Sequence, residues 1–134
     1  MNYTANSRLR PLLAVLGWLL LSQLAVAADK PGPITWRAFE ADSFALAKQE
    51  QRFILLDLEA VWCHWCHVMD ATTYQDPVVA ALLAQHYVPT KADHDARPDL
   101  AERYRDYGWP ATIILTASGV EVVKRAGYIA PEAM

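Results

Sequence analysis

The sequence predicts an α/β domain in which a central mixed β-sheet is flanked by helices. Two short apolar runs, residues 53–60 and 113–115, have the length and composition of buried strands. Segments with helical signals lie between them along the chain. After a turn at residues 116–119, residues 120–126 alternate between apolar and polar side chains, which is typical of an antiparallel neighbouring strand.

Residues 1–27 have the parts of a secretory signal peptide. Arg8 and Arg10 form its basic start, its apolar centre is short for a membrane span, and the small residues at 25–27 precede a cleavage site. An uncleaved signal anchor is the alternative, because the apolar stretch extends to Ala28. With a cleaved signal, we expect the protein in a bacterial periplasm.

A Pro/Gly linker, residues 28–35, is expected to join the signal peptide to a single domain, residues 36–134. The net charge of the chain is -3, and removal of the two arginines of the signal peptide gives -5. This mildly acidic domain has no basic patch for nucleic acid, so we expect no nucleic-acid partner. Export places the cysteines in an oxidising compartment, where a disulfide persists.

Helix-start signals and apolar runs predict the remaining elements. Asp76 is typical of an N-cap and Pro77 of the first position of a helix, which we expect to continue to Tyr87. The other predicted elements are, in chain order, a helix at residues 42–51, a strand at 88–92 and a helix at 98–107.

Both cysteines lie within residues 62–67, directly after the first apolar strand. At a strand-to-helix junction, the unpaired N–H groups and the helix dipole favour an anion such as a Cys63 thiolate. The three-residue spacing of the two cysteines lets Cys63 and Cys66 form a disulfide that opens with little backbone motion. We expect Cys63 to attack and Cys66 to resolve, while protonated His64 would stabilise the reduced pair. Shared binding of a metal is the alternative use of the two sulfurs.

Two residues outside the motif are candidates for the same site. Asp57 lies six positions before Cys63 between two leucines, so we expect it to be buried. Burial would raise its pKa and let it take the proton of Cys66, although a carboxylate with a structural role would look the same. Pro110 follows Trp109 at the start of a strand and is a candidate for a cis peptide bond, in a turn that packs against the sulfurs.

Tryptophans surround the motif in the sequence. We expect Trp62, Trp65 and Trp109, together with His64, to form an aromatic surface that binds a partner polypeptide. Trp36 is instead expected to lie in the core. An acidic cluster at residues 93–99, which includes His94, is interpreted as a solvated turn and helix start, because it lacks the glycine and glutamate of a calcium loop.

These residues resemble known proteins. The strand at 54–58, Trp62 and the two cysteines resemble the active-site strand and loop of thioredoxins, and Pro110 with Thr112 resembles their cis-proline segment. The segment 63–69, Cys-His-Trp-Cys-His-Val-Met, is similar to the thioredoxin-like domain of the spermatogenesis-associated protein 20 family. The strand and loop are also similar to the C-terminal domain of the bacterial thiol:disulfide interchange protein.

The resemblance covers residues 36–130 and implies a thioredoxin-like fold whose closing helix is cut short at Met134. It also implies a thiol:disulfide oxidoreductase that exchanges disulfides with partner proteins. We expect a monomer with no cofactor besides the Cys63–Cys66 disulfide. A membrane electron donor or acceptor is an alternative further partner. Glu59 departs from the pattern, because thioredoxins often carry an aromatic residue at that position.

Two other functions are compatible with the motif. Cys63 and Cys66 followed by His67 also satisfy the attachment motif for c-type haem, with Met69 or Met134 as an axial ligand. A buried strand before the motif disfavours haem, whose attachment segments belong to small helical domains. The cysteines, His64, His67 and Met69 could instead bind copper or zinc, although their spacing is compressed for a structural zinc site.

Overall fold

The computed structural model describes residues 32–134. Within them, five strands form one sheet in the order β1-β3-β2-β4-β5. In chain order the strands are β1 (Arg37–Ala38), β2 (Phe53–Glu59), β3 (Tyr87–Asp93), β4 (Ala111–Leu115) and β5 (Glu121–Ala126). Strands β1 and β2 run parallel to β3, whereas β4 runs antiparallel to β2 and to β5. The predicted mixed sheet is confirmed, and β1 is an additional strand that the sequence patterns did not indicate.

In the described part of the chain, four α-helices connect and cover the strands: α1 (Ala41–Glu50), α2 (His64–Ala71), α3 (Pro77–His86) and α4 (Pro98–Arg103). The predicted start of α3 is confirmed. Asp76 accepts hydrogen bonds at Oδ1 from the backbone N–H groups of Val78 and Val79, at 2.8 and 3.1 Å, and Pro77 occupies the first turn. These contacts satisfy donors that a helix start otherwise leaves unpaired.

The helix predicted at residues 98–107 is shorter than expected. Helix α4 ends at Arg103, Tyr104 leaves the helical conformation with φ of -114°, and a separate 3₁₀ turn follows at Arg105–Tyr107. The side chain of Tyr104 explains the break, because it is 2% exposed and its hydroxyl donates to Glu121 at 2.8 Å. Burial of this ring turns the chain toward the sheet before the helix can continue.

Strand β2 separates the two halves of the core, because its side chains alternate between the faces of the sheet. Ile54, Leu56 and Leu58 belong to the cluster that includes residues of α1 and α4. Leu55 packs on the opposite face with residues of α2 and α3, such as Met69 and Leu83. Trp36, expected in the core, is partly buried against this second cluster.

Strands β4 and β5 form the predicted hairpin. The turn is closed by hydrogen bonds between Thr116 and its neighbours, with the N–H of Gly119 donating to the Thr116 carbonyl at 2.9 Å. Gly119 has φ of 85°, a left-handed conformation that glycine adopts without strain. Strand β5 is the outer strand of the sheet, and most of its side chains are exposed.

The predicted signal peptide, residues 1–27, and the first part of the predicted linker lie outside the described residues. No helix within residues 32–134 combines the length and the apolar character needed to cross a membrane.

Candidate functional site

Cys63 and Cys66 form a disulfide at the start of α2, with their Cα atoms 5.3 Å apart. Cys63 is the N-cap of the helix, and its Sγ accepts a hydrogen bond from the backbone N–H of Cys66 at 3.1 Å. The two cysteines are 6% and 3% exposed. When the disulfide opens, the same N–H and the helix dipole stabilise a thiolate on Cys63 rather than on Cys66.

The loop that leads into the motif is held by backbone hydrogen bonds. The N–H of Cys63 donates to the carbonyl of Ala60 at 2.9 Å, and the N–H of His94 donates to the carbonyl of Glu59 at 2.8 Å. Asp93, at the end of β3, accepts a hydrogen bond at Oδ2 from the N–H of Val61 at 3.3 Å. The other carboxylate oxygen of Asp93 accepts from two N–H groups of its own turn. This carboxylate therefore joins the cysteine loop to the neighbouring loop.

Asp57 is buried as predicted, with 2% of its surface exposed. It lies two residues after Leu55 on β2, and therefore on the sheet face that α2 covers. Burial raises the pKa of its carboxyl from 3.8 to about 7, although the Lys91 ammonium acts in the opposite direction. A carboxyl with such a pKa can exchange a proton near neutral pH.

Lys91 is the main residue of the site that the sequence analysis missed. It pairs in register with Asp57 across β3 and β2, and its Nζ lies 3.2 Å from Asp57 Oδ2. The same Nζ lies 2.6 Å from both Glu59 Oε2 and Asp70 Oδ1. Burial acts to lower the pKa of Lys91, but the three carboxylates outweigh it, so the pKa lies above its ordinary value. The signal that could have identified Lys91 is the presence of a charged residue within the buried strand predicted at residues 88–92.

Asp57 Oδ1 is a buried polar atom with no hydrogen-bond partner in the part of the chain that the structure describes. Thr112 lies directly opposite Asp57 on β4. Burial, followed by the charge of Asp57, raises the pKa of Tyr74 above its ordinary value, so its hydroxyl stays protonated. One oxygen of the Asp57 carboxyl is therefore free to bind a proton.

An aromatic rim surrounds the disulfide. Trp62 and Trp65 are 59% and 54% exposed, and the rings of Trp62 and Trp109 meet edge to face at 5.6 Å between centroids. The ring of His64 lies against Trp65 at 5.4 Å. Trp109 packs against the cluster of Ala60 and the two cysteines, so the rim reaches the disulfide itself.

The structure thus brings all four predicted binding residues to the cysteine motif. It adds His94, whose ring lies 4.6 Å from that of Trp109 and which the sequence placed only in a solvated turn. Pro110 is buried behind the rim, and the Trp109–Pro110 peptide bond is cis.

The residues considered as metal ligands do not converge. Met69 is fully buried in the core, and His67 hydrogen-bonds through Nε2 to the carbonyl of Val61 at 2.9 Å. Within residues 32–134, the group of potential ligands that lie within 4.8 Å of one another is Asp57, Glu59 and Asp70. The ammonium of Lys91 contacts all three. The cluster therefore already has a cation of its own.

Comparison with known proteins identifies the family. A family model named Thioredox_DsbH, described as "Protein of unknown function, DUF255", matches residues 22–134. Human spermatogenesis-associated protein 20 is 30% identical over 92 residues, which are 63% of this chain and 12% of that protein. Thiol:disulfide interchange protein DsbD 2 of Pseudomonas aeruginosa is 35% identical over 80 residues, which are 58% of this chain and 14% of that protein. The chain thus spans a small part of these relatives.

Solved structures agree on the fold. A thioredoxin from Thermus thermophilus superimposes with a TM-score of 0.66 at 25% identity, covering 75% of this chain and 81% of that one. A structure described as DsbH oxidoreductase gives a TM-score of 0.64 at 18% identity, covering 74% and 79% of the two chains. The fold is thioredoxin-like, as the sequence predicted, and the chain belongs to the Thioredox_DsbH (DUF255) family.

The variant Asp57→Asn should remove a pH-dependent loss of stability. Because the folded-state pKa is raised from 3.8 to about 7, the unfolded state releases its proton first and stability falls as pH rises through this range. Ionisation of the Asp57 carboxyl should lower the free energy of unfolding of the wild type by on the order of 2 to 4 kcal/mol between about pH 4 and pH 8. This decrease should be absent in Asp57→Asn. Urea unfolding of the oxidised proteins, in which the cysteines do not titrate, measures it.

The matched control is Asp106→Asn, at a carboxylate whose side chain is 90% exposed. Its stability should follow that of the wild type at every pH. If wild type and Asp57→Asn gave parallel curves, Asp57 would not titrate in this range.

Proposed function

We propose that this member of the Thioredox_DsbH family is an exported thiol:disulfide oxidoreductase that acts on protein disulfides. The observation that carries the proposal is the Cys63–Cys66 disulfide at the N-terminus of α2, directly after the central strand. The printed name of the Pseudomonas relative, a thiol:disulfide interchange protein, supports the same chemistry.

In the reducing direction, the Cys63 thiolate attacks one sulfur of a partner disulfide. The other partner sulfur leaves with the bonding electron pair and takes up a proton. Cys66 then loses its proton and attacks Cys63 Sγ, forming the intramolecular disulfide and releasing the second partner sulfur, which is also protonated. Two electrons and two protons reach the partner, and the protein is left oxidised. The reverse sequence oxidises a partner dithiol, and the relative reduction potentials decide the direction.

Asp57 is proposed to accept the proton of Cys66 during resolution. Cys66 lies on α2, Asp57 lies on the sheet face that α2 covers, and Asp57 Oδ1 has no partner among the described residues. A buried carboxylate is a stronger base than an exposed one, and its pKa of about 7 lets it take up and release a proton near neutral pH.

The aromatic rim is proposed to bind the partner polypeptide. Trp62 and Trp65 expose large apolar surfaces next to the disulfide, and Trp109 contacts its cluster. Such side chains bury a large area at little conformational cost, while His64 supplies a polar group beside them. Pro110 is proposed to shape the groove in which the partner sulfur approaches Cys63. We propose a monomeric domain that serves protein thiols and disulfides, and a membrane protein can supply or remove the electrons.

Redox exchange accounts for the site better than haem or metal binding does. Covalent haem would need both sulfurs exposed to the porphyrin, but the cysteines are nearly buried in a mixed-sheet domain. The soft ligands proposed for copper or zinc are also not gathered, because Met69 lies in the core and His67 binds a backbone carbonyl.

Substitution of the two cysteines should give different products. Cys66→Ser should accumulate a mixed disulfide with a disulfide-bonded substrate such as insulin, because Cys63 attacks but nothing resolves the intermediate. Cys63→Ser should form little mixed disulfide and should lose at least about a hundredfold in insulin reduction. Mass spectrometry under non-reducing conditions and insulin turbidity measure the two effects.

The double variant, Cys63→Ser with Cys66→Ser, is the control for nonspecific association. Wild-type turnover by Cys63→Ser would disprove the proposed function.

The variant Asp57→Asn should slow resolution without slowing the first attack. An amide cannot take the proton of Cys66, so we expect the rate of closure of the mixed disulfide near pH 7 to fall about tenfold or more. Stopped-flow tryptophan fluorescence separates the two steps, since Trp62 and Trp109 adjoin the disulfide cluster. Asp106→Asn is again the control, and an unchanged rate of closure would remove Asp57 from the mechanism.

Export is the part of the proposal that rests on the sequence of residues 1–27. When the full chain is expressed in a bacterial host, the mature protein should be recovered from the periplasm with its first residue at Ala28 or Asp29. Intact mass measurement identifies the cleavage site, and Ala27→Leu should block cleavage. Recovery of uncleaved protein from the cytoplasm would show that the segment is not a signal peptide.

A further inference from the structure

The ammonium of Lys91 is shared unequally among three carboxylates. Its Nζ lies 2.6 Å from Glu59 and from Asp70, but 3.2 Å from Asp57. The two nearer carboxylates are partly exposed, with 25% and 41% of their side-chain surfaces accessible, whereas that of Asp57 is 3% accessible. The lysine therefore contacts all three carboxylates, and its shorter contacts are with the two outer ones, Glu59 and Asp70.

The contacts that fix this arrangement come from different elements. Glu59 ends β2, Lys91 lies on β3, and Asp70 lies on α2, the helix that begins at the cysteines. The ammonium also lies 4.8 Å from the ring of Trp36 and 5.5 Å from that of Tyr74. Cation–π contacts with these rings add to the contacts that fix the position of the ammonium.

One positive charge cannot neutralise three carboxylates whose oxygens lie within 4.8 Å of one another. With all three ionised, this group of four side chains would carry a net charge of -2 beside the core. Protonation of one carboxyl relieves this repulsion, and the least solvated carboxyl gains most from being neutral. That carboxyl belongs to Asp57.

We propose that Glu59 and Asp70 are positioning residues that share the charge of Lys91 with Asp57, so that the buried carboxyl keeps its proton near neutral pH and can both donate and accept it during disulfide exchange. The inference deepens the proposed function and rests on it. Without Glu59 and Asp70, Lys91 would neutralise the carboxylate of Asp57 alone. Asp57 would then stay ionised, which makes it a weaker base and leaves it no proton to donate. Asp57 would then no longer serve both directions of exchange.

The groups that face Asp57 are few within the described residues. Lys91, Glu59 and Asp70 carry the charges, and the uncharged polar neighbours are Tyr74 and Thr112. The pKa of Asp57 is raised first by burial, and both Glu59 and Asp70 raise it further while Lys91 lowers it. Removal of the outer carboxylates should therefore lower that pKa, and removal of the lysine should raise it.

The experiment follows the Asp57 carboxyl carbon by NMR in the oxidised, isotopically labelled protein, with Asp57→Asn used to assign the resonance. In Glu59→Gln with Asp70→Asn, we expect the titration midpoint to fall by about one pH unit or more, with a smaller fall in each single variant. The pH profile of mixed-disulfide closure should move in the same direction. Lys91→Gln should move the midpoint of Asp57 upward.

Two controls separate charge from structure. Asp70→Glu, in place of Asp70→Asn, keeps the carboxylate, so the titration midpoint of Asp57 should lie close to that of the wild type. Asp106→Asn removes an exposed charge elsewhere and should not change this midpoint. An unmoved or raised midpoint in the double variant, with disulfide exchange intact, overturns the positioning role alone. A wild-type protein that exchanges no disulfides, whatever the midpoint of the double variant, overturns the proposed function, and this inference with it.

Discussion

Strand β2 is covered on both faces, and this constraint determines where the reactive groups lie. Because its side chains alternate, the apolar residues Ile54, Leu56 and Leu58 occupy one half of the core, and Leu55 and Asp57 occupy the other. The strand ends at Glu59, and a short loop leads from it into α2. A carboxyl is thus buried on the side of the sheet that the cysteine-bearing helix covers.

Burial and charge are balanced around that carboxyl. An isolated carboxylate in the core would be costly, and a single buried ion pair with Lys91 would keep it ionised. Because Glu59 and Asp70 also contact the lysine, the positive charge is divided among acids of different exposure. The same side chains join two strands and a helix, so the electrostatics of the site and the packing of α2 on the sheet depend on one another.

The sequence was sufficient for the elements whose signals are local. The strand before the cysteines, the Asp76 cap and the hairpin near Gly119 follow from the order of neighbouring residues alone. It was insufficient where distant segments meet. The register that places Lys91 opposite Asp57, the short strand β1 and the contact of His94 with Trp109 depend on pairing over many residues. Helix α4 was predicted too long because burial of Tyr104 overrides the local helical signal.

The carboxylate of Asp93 has a consequence for the rate of the proposed disulfide exchange. It holds the N–H of Val61 while the backbone of Cys63 is bonded to Ala60, and neither contact involves a sulfur atom. We therefore expect the loop to keep the same scaffold whether its cysteines are joined or separate. In the proposed disulfide exchange, little structural reorganisation would then accompany a change of oxidation state, and the encounter with a partner and the movement of protons, rather than refolding of the loop, would limit turnover.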